Sequence, residues 1–249
     1  MNGIVFIISA PSGSGKTTLT DELRKNVPKL EFSISYTTRQ PRGSEQNGKE
    51  YSFVTRAAFE KMIGDDEFLE HAEVFGNYYG TARSFLREAF GRGNDLILDI
   101  DVQGAAQVKQ KLPEAVSIFI LPPSRQELER RLRRRTLLEN ETRRQLTGAG
   151  KSADEIEAVI QRRLHEASRE IENYSLYDYI LVNEKVEPAI DVLQSIVKAE
   201  RVKRSPEPAR AGDEQVLATA DMAERPNMMQ QVQTILATFD LSSSHADRE

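Results

Sequence analysis

The sequence ISAPSGSGKTT at residues 8–18 decides the fold of this chain. It follows an apolar, β-branched run at residues 4–9 and opens a helical pattern at residues 16–25. The segment fits the phosphate-loop pattern G-x-x-x-x-G-K-[ST] at every position except the first, where Ala10 stands. Strand, glycine-rich turn and helix in this order predict an α/β fold that binds a nucleoside triphosphate. An ordinary turn before a helix is the alternative.

The loop residues suit a triphosphate because each has a chemical use. Gly13 and Gly15 let successive backbone N–H groups point at a phosphate, and the helix N-terminus adds its dipole. Lys16 would neutralise the terminal phosphates, and the Thr17 hydroxyl would reach Mg²⁺ or its water shell. The loop residues predicted to bind the triphosphate, which the resemblance described below identifies as ATP, are Ala10, Pro11, Ser12, Gly13, Ser14, Gly15, Lys16, Thr17 and Thr18.

Further strand and helix patterns alternate along the chain. Apolar runs at residues 96–100 and 117–121 each precede a helical stretch, which predicts a parallel sheet flanked by helices. Asp99 ends the first of these runs and is a predicted magnesium ligand, although a helix cap or ion-pair partner would also fit. A second GAGKS motif at residues 148–152 has no strand before it, so we interpret it as a loop.

Composition excludes several classes of protein. Hydrophobic residues make up 39% of the chain, cysteine is absent and the three histidines lie far apart, which excludes disulfide scaffolds and thiolate metal sites. No apolar run approaches the length of a membrane span and no cationic leader is visible, so we expect a cytoplasmic protein without membrane contact. The acidic excess lies in residues 205–249, and the balanced remainder argues against nucleic-acid binding.

A second cluster of motifs indicates the phosphate acceptor. Arg39 and Arg42 flank Pro41, so that two guanidinium groups on a stiff turn could hold a second phosphate. Tyr51 and Tyr79 could add hydroxyl donors. A solvated basic loop is the alternative for this turn.

These motifs together resemble the bacterial form of guanylate kinase. The similarity lies in residues 35–53, in FLEHAEVFGNYYGT at residues 68–81 and in LDIDVQG at residues 98–104, and it extends over residues 3–201. Bacterial members share the Ala-Pro-Ser-Gly form of the loop, which accounts for Ala10. The resemblance implies Mg²⁺-assisted transfer of the γ-phosphoryl group of ATP to GMP or dGMP. It also implies a phosphate-loop parallel sheet with an inserted β-rich GMP-binding domain and a helical lid.

The resemblance also implies domain boundaries and site residues. The core would comprise residues 3–34, 85–123 and 169–204, the GMP-binding domain residues 35–84, and the lid residues 124–168 with a polar insertion near 137–151. Residues 205–249 are predicted to be mostly disordered, although residues 228–239 could dock as an amphipathic turn or two. The predicted GMP-binding residues are Ser35, Arg39, Arg42, Glu45, Tyr51, Glu70, Tyr79, Thr81 and Asp101.

Within this set, Arg39, Arg42 and the two tyrosines would hold the GMP phosphate, and Glu45 would orient the arginines. The catalytic residues implied by the resemblance are Lys16, Arg39, Arg135 and Arg163. Asn183 matches an asparagine on the adenine side of the ATP site, but it could equally be a plain turn residue after a strand.

Two other functions stay open. A binding module could keep this fold after losing catalysis, but the intact Lys16 and Thr17 argue against it. A kinase for a sugar phosphate such as ribose 1,5-bisphosphate would not need the residues that the resemblance assigns to guanine recognition, which are Ser35, Glu70, Thr81 and Asp101. The sequence leaves the oligomeric state open.

Overall fold

The computed structural model describes residues 3–41, 43, 45–74 and 76–241, which fall into two compact units. The first unit comprises Met1–Ser9 and Arg24–Ile118, and the second comprises Ala10–Leu23 and Phe119–Glu249. The strands are β1 (Val5–Ser9), β2 (Leu30–Phe32), β3 (Tyr36–Thr37), β4 (Ser52–Phe53), β5 (Phe68–Val74), β6 (Asn77–Ala82), β7 (Asp95–Asp99), β8 (Val116–Leu121) and β9 (Tyr179–Val182). The helices are α1 (Lys16–Asn26), α2 (Arg56–Gly64), α3 (Arg83–Gly91), α4 (Val102–Lys111), α5 (Arg125–Thr147), α6 (Ala153–Ile171), α7 (Val186–Lys203), α8 (Asp213–Met222) and α9 (Arg225–Ala237), with a short 3₁₀ helix at Glu172–Leu176. No helix in these described ranges is long and apolar enough to cross a membrane.

The first unit contains a parallel sheet in which β7 lies between β2 and β1. Every residue of β1 is buried, and so is every residue of β7 except Asp99 at its end. Parallel strands that are covered on both faces require continuous apolar runs, which is why the sequence pattern located them. The predicted parallel sheet flanked by helices is confirmed.

A smaller sheet in the same unit has the strand order β4-β3-β6-β5. Its aromatic face is covered by α2, whose Phe59 stacks on Phe68 at 4.3 Å and on Tyr78 at 5.2 Å between ring centroids. The register of β5 against β6 shifts between Phe68 and Glu70. Such a bulge inserts one extra residue and redirects the side chains that follow. Phe68 therefore joins the aromatic face, while Glu70 pairs with Thr81 on the opposite, polar face.

In the second unit, α5 and α6 form a hairpin of two long helices. The left-handed Gly148, at φ +73°, ends α5, and Ser152 with Glu155 caps the start of α6 in a capping box. The second GAGKS motif is thus the connection between two helices, which confirms that it is not a phosphate loop. Residues 137–147 of the polar insertion continue α5.

The structure differs from the prediction of a largely disordered tail. Two helices, α8 and α9, form after residue 205, and α9 buries Val232, Ile235 and Leu236. These residues recur at helical spacing. The prediction of disorder relied on the polar composition of the tail, which does not reveal that spacing. Residues 242–249 lie outside the described residues.

Hydrogen bonds attach the tail to the rest of the second unit. The Thr238 hydroxyl accepts a 2.9 Å bond from the backbone N–H of Arg125, the first residue of α5. Lys203 donates to the Tyr179 hydroxyl and to Glu224, both at 2.9 Å. The tail therefore supports β9, α7 and the start of α5.

Replacing Ile235 by Ala should destabilise the protein by about 2–5 kcal/mol, because it leaves a cavity beneath α9. The melting temperature should fall by about 2–4 °C for each kcal/mol. Gln233→Ala, at an exposed position of the same helix, is the matched control and should change it little. Equal melting temperatures for the two variants would show that α9 is not packed as described.

Candidate nucleotide sites

The phosphate loop has the backbone geometry that its glycines allow. Gly13 and Gly15 adopt φ angles of +93° and +90°, in the left-handed region that favours glycine. The Ser14 N–H donates to the Pro11 carbonyl at 3.1 Å, and α1 begins at Lys16. Lys16 and Thr17 therefore lie in the first turn of a helix, where the dipole favours an anion.

Asn183 supports this loop directly. Its side-chain Nδ2 donates to the Ser14 carbonyl at 2.7 Å, and a Cβ atom on Gly15 would lie only 2.3 Å from that nitrogen. Asn183 is 2% exposed, and its Oδ1 and the Ser14 hydroxyl have no hydrogen-bond partner among the described residues. One end of Asn183 thus fixes the loop backbone. A contact between Asn183 and adenine stays a prediction.

The two predicted lid arginines meet at one carboxylate. Glu139 accepts from Arg135 Nε at 2.8 Å and from Arg163 Nη2 at 3.0 Å, while Arg163 Nη1 donates to the Thr136 hydroxyl at 3.0 Å. Burial raises the pKa of Glu139, but the two arginines outweigh burial, so the pKa lies below its ordinary value. Glu139 lies in the polar insertion, where no motif indicated this role.

In the first unit, Arg39 is held in a fixed position. Its guanidinium donates to both carboxylate oxygens of Glu45 at 2.9 Å and lies over the rings of Tyr51 and Phe53. The Tyr51 and Tyr79 rings pack edge to face at 5.9 Å. The structure thus brings together three of the residues predicted to bind the GMP phosphate and Glu45, which was predicted to orient the arginines. Arg42 lies outside the described residues.

Glu70 is a carboxyl group in a nearly closed environment. It is 4% exposed. Burial raises its pKa to about 7, and the nearby Asp101 charge adds to the rise, while Thr81 and Lys111 oppose it. The Thr81 hydroxyl is fully buried and lies beside this carboxyl group, where it helps to lower the pKa. An enclosed hydroxyl beside an enclosed carboxyl group is an arrangement that a polar ligand would complete.

Asp101 and Ser35, two further residues predicted to bind GMP, make local structural hydrogen bonds. Asp101 caps α4 by accepting the Gly104 N–H at 2.8 Å, and the backbone carbonyl of Ser35 accepts the Ser52 N–H at 2.9 Å. Asp99 ends β7 in the first unit, while Thr17 belongs to the second. In the described part of the chain, no group of three or more His, Asp or Glu side chains is arranged to hold a metal ion. Thr17 and Asp99 stay predicted magnesium ligands.

Two residues next to Glu70 were missed in the sequence. Gln107 and Lys111, one turn apart on α4, both hydrogen-bond to the backbone of β5 beside Glu70. Their spacing places them on one face of the helix that Asp101 caps. This shared face was the only signal in the sequence that could have indicated their role.

Replacing Glu70 by Gln should stabilise the fold above pH 7 by an amount on the order of 2–4 kcal/mol. In the folded protein the carboxyl group ionises near pH 7, against an ordinary value of 4.5, so its buried charge opposes folding once both states are ionised. The gain should shrink as the pH falls from 7 to 4.5, because Glu70 of the folded protein is then mostly protonated and carries no buried charge. Below pH 4.5 the carboxyl group is protonated in the unfolded protein as well, and the gain should vanish. Urea unfolding at pH 5, 6, 7 and 8 measures it.

The exposed Glu73, on the same strand, provides the control variant Glu73→Gln. Its effect on stability should hardly change over this pH range. If Glu70→Gln had the same effect at pH 5 and pH 8, the pKa of Glu70 would not be raised.

Comparison with known proteins identifies the family of this chain. A family model described as guanylate kinase matches residues 3–200. The guanylate kinase of Koribacter versatilis is 59% identical over 96% of this chain and 97% of its own length, a similarity that extends past residue 200 into the tail. The Escherichia coli K12 guanylate kinase is 46% identical over 82% of this chain and 91% of its own. The crystal structure of guanylate kinase from Anaplasma phagocytophilum has a TM-score of 0.62, with 31% identity over 89% of this chain and 97% of that one. With a matching phosphate loop, a matching fold and these relatives, the chain belongs to the guanylate kinase family.

Proposed function

We propose that this chain transfers the γ-phosphoryl group of ATP to GMP or dGMP, producing ADP and GDP or dGDP. The observation that carries the proposal within the structure is the buried Glu70 carboxyl group beside the buried Thr81 hydroxyl. Guanine presents two adjacent donors, N1–H and N2–H₂, which suit one carboxylate, and an O6 acceptor, which suits a hydroxyl. Adenine has no such pair of donors.

The phosphate of GMP would bind at Arg39. A guanidinium that is already fixed by Glu45 loses little conformational freedom when a phosphate arrives. The Tyr51 and Tyr79 hydroxyl groups would add neutral donors, and Arg42 a second charge. In this proposal residues 35–84 form the GMP-binding domain, and residues 124–168 the lid of the ATP site.

The triphosphate would bind at the loop, with its anionic oxygens at the first turn of α1. Lys16 would neutralise the transferring phosphoryl group, and Arg135 and Arg163 would add charge to it from the lid. Phosphoryl transfer needs alignment and charge neutralisation more than covalent help, so we assign no general base.

Mg²⁺ fits the chemistry of the predicted residues. A hydroxyl oxygen from Thr17 and a carboxylate oxygen from Asp99 are hard ligands, and Mg²⁺ commonly takes its other ligands from phosphates and water. When bound, the ion would neutralise charge on the β- and γ-phosphate oxygens. We expect the enzyme to act in the cytoplasm, where ATP and GMP are metabolised.

The alternatives differ in which substrate is consumed. A binding module without catalysis would release no ADP, and a sugar-phosphate kinase would not use the buried carboxyl group of Glu70. ADP release should therefore be measured with GMP, dGMP, AMP, CMP, UMP and ribose 1,5-bisphosphate in parallel. GMP and dGMP should be the preferred acceptors. A preference for the sugar phosphate, or no turnover at all, would overturn the proposal.

Replacing Lys16 by Met should lower kcat by at least about 10²-fold, because it removes one preorganised charge but keeps the aliphatic stem. Lys25→Met, at an exposed position near the other end of α1, is the matched control and should leave kcat within a few-fold. Circular dichroism confirms that both variants fold. If Lys16→Met kept normal activity, the phosphate loop would not be the ATP site.

Replacing Glu70 by Gln should lower kcat/KM for GMP by about 10²–10⁴-fold, because one charge-assisted bond is lost and one guanine donor is left unmet. The KM for ATP should barely change. In the wild type, kcat/KM for GMP should fall as the pH drops below about 7, since the protonated acid cannot accept both donors.

The GMP phosphate also titrates, near pH 6, so the pH profile of Glu70→Gln serves as the control. In this variant, kcat/KM for GMP should still change near pH 6, where the GMP phosphate titrates. The change near pH 7, which we attribute to Glu70, should be lost. An unchanged profile, or a loss of ATP binding instead, would show that Glu70 does not bind guanine.

A further inference from the structure

Glu70 lies on a strand that cannot hold it firmly by sheet pairing alone. β5 is at the edge of its sheet, and the register shift between Phe68 and Glu70 interrupts its pairing with β6. An edge strand leaves one row of backbone N–H and C=O groups without a strand partner, and a bulge adds local freedom. The side chain that is proposed to read guanine therefore needs support from elsewhere.

Helix α4 provides that support at the residues on either side of Glu70. The Gln107 side chain accepts the His71 N–H at 3.2 Å and donates to the His71 carbonyl at 2.8 Å. These are the two bonds that a residue of a neighbouring strand would make. On the other side, Lys111 Nζ donates to the Leu69 carbonyl at 2.7 Å.

The same helix also forms the wall against the Glu70 carboxyl group. A Cβ atom on Gly104 would lie 2.7 Å from Glu70 Oε2, so a side chain at this position would displace the carboxyl group from where it lies. Gly104 belongs to the first turn of α4, which Asp101 caps. Asp101 is itself a predicted guanine-binding residue, so one rigid helix sets the position of Glu70 relative to Asp101.

We propose that Gln107 and Lys111 are positioning residues for guanine selection: by holding the backbone on both sides of Glu70, they fix its carboxylate where it can accept two donors at once. The inference rests on the proposed function of Glu70. Neither residue is assigned a contact with GMP. Their effect is transmitted through the backbone of β5.

The proposal predicts that a change at Gln107 or Lys111 weakens guanine recognition more than it weakens the binding of other ligands. Two parallel hydrogen bonds to one carboxylate tolerate little displacement, and a misplacement of about 1 Å can cost about 10²-fold in rate. An acceptor nucleotide that offers one donor instead of two should suffer less. ATP, which binds elsewhere on the chain, should not be affected.

The main test replaces Gln107 by Met, which keeps the length of the side chain and removes both bonds to His71. Gln110→Met, at an exposed position of the same helix, is the matched control. Each variant is assayed with GMP and with IMP, which keeps N1–H and O6 but lacks the 2-amino group. We expect Gln107→Met to lower kcat/KM for GMP by about 10–100-fold. The preference for GMP over IMP should narrow by about tenfold, with an unchanged KM for ATP.

Lys111 gives a second, independent test. The titratable groups around Glu70 are Asp101 and Lys111 on α4 and His71 on β5. Lys111→Met removes both the bond to Leu69 and the nearby positive charge, so the limb of the pH profile near pH 7 should move to higher pH. Lys111→Arg keeps the charge and should restore the position of that limb.

The outcomes distinguish this inference from the proposed function. If wild-type protein does not phosphorylate GMP, or Glu70→Gln keeps normal GMP turnover, the proposed function fails. If both of those results are as expected but Gln107→Met matches Gln110→Met in its GMP-to-IMP ratio, the positioning role is wrong. It is also wrong if Gln107→Met lowers GMP and IMP turnover equally together with the melting temperature, since that result indicates a structural role alone.

Discussion

The burial of one carboxyl group, that of Glu70, is the constraint on which the candidate guanine site in the first unit depends. Removing the Glu70 charge from water is costly, and the protein around it offsets only part of that cost. The bulge turns Glu70 away from the aromatic face of the small sheet, the first turn of α4 has glycine where a side chain would collide with it, and Gln107 holds the strand beside it. The buried Glu70 carboxyl group thus lowers the stability of the folded protein. A ligand with two hydrogen-bond donors would supply the partners that this group lacks.

Arginines in both units are held by carboxylates of the same unit. Glu45 engages Arg39 with two bonds, and Glu139 engages Arg135 and Arg163 with one each. A long side chain that is fixed in this way does not have to be ordered when a phosphate binds. The same contact reduces the free positive charge of the arginine. A phosphate that binds one of these arginines would therefore compete with the carboxylate for the same hydrogen bonds. This competition favours dianionic ligands over ligands of lower charge.

The sequence predicted those features that depend on local backbone chemistry. The phosphate loop needs glycines with positive φ beside Lys16, and buried parallel strands need unbroken apolar runs, so both patterns were visible. The roles of Gln107 and Glu139 were not visible in the sequence, because each depends on a partner more than twenty residues away in the chain. The order of the tail was underestimated, with docking considered only for residues 228–239, because a few buried residues such as Val232 and Ile235 are spread among polar ones. The assignments of single residues to ATP, GMP and Mg²⁺ still rest on the resemblance and on chemistry.

The discontinuity of the second unit affects the order in which the chain can fold as the ribosome makes it. All segments of the first unit exist once Ile118 has been synthesised, whereas Ala10–Leu23 belongs to a unit whose other part begins at Phe119. Asn183, which holds the phosphate loop, and Thr238, which accepts the first N–H of α5, come still later. Domains generally fold as units during synthesis, from the N-terminus onward. The phosphate loop is thus translated before most of the unit to which it belongs, and its contact with Asn183 can form only after that later part has been made.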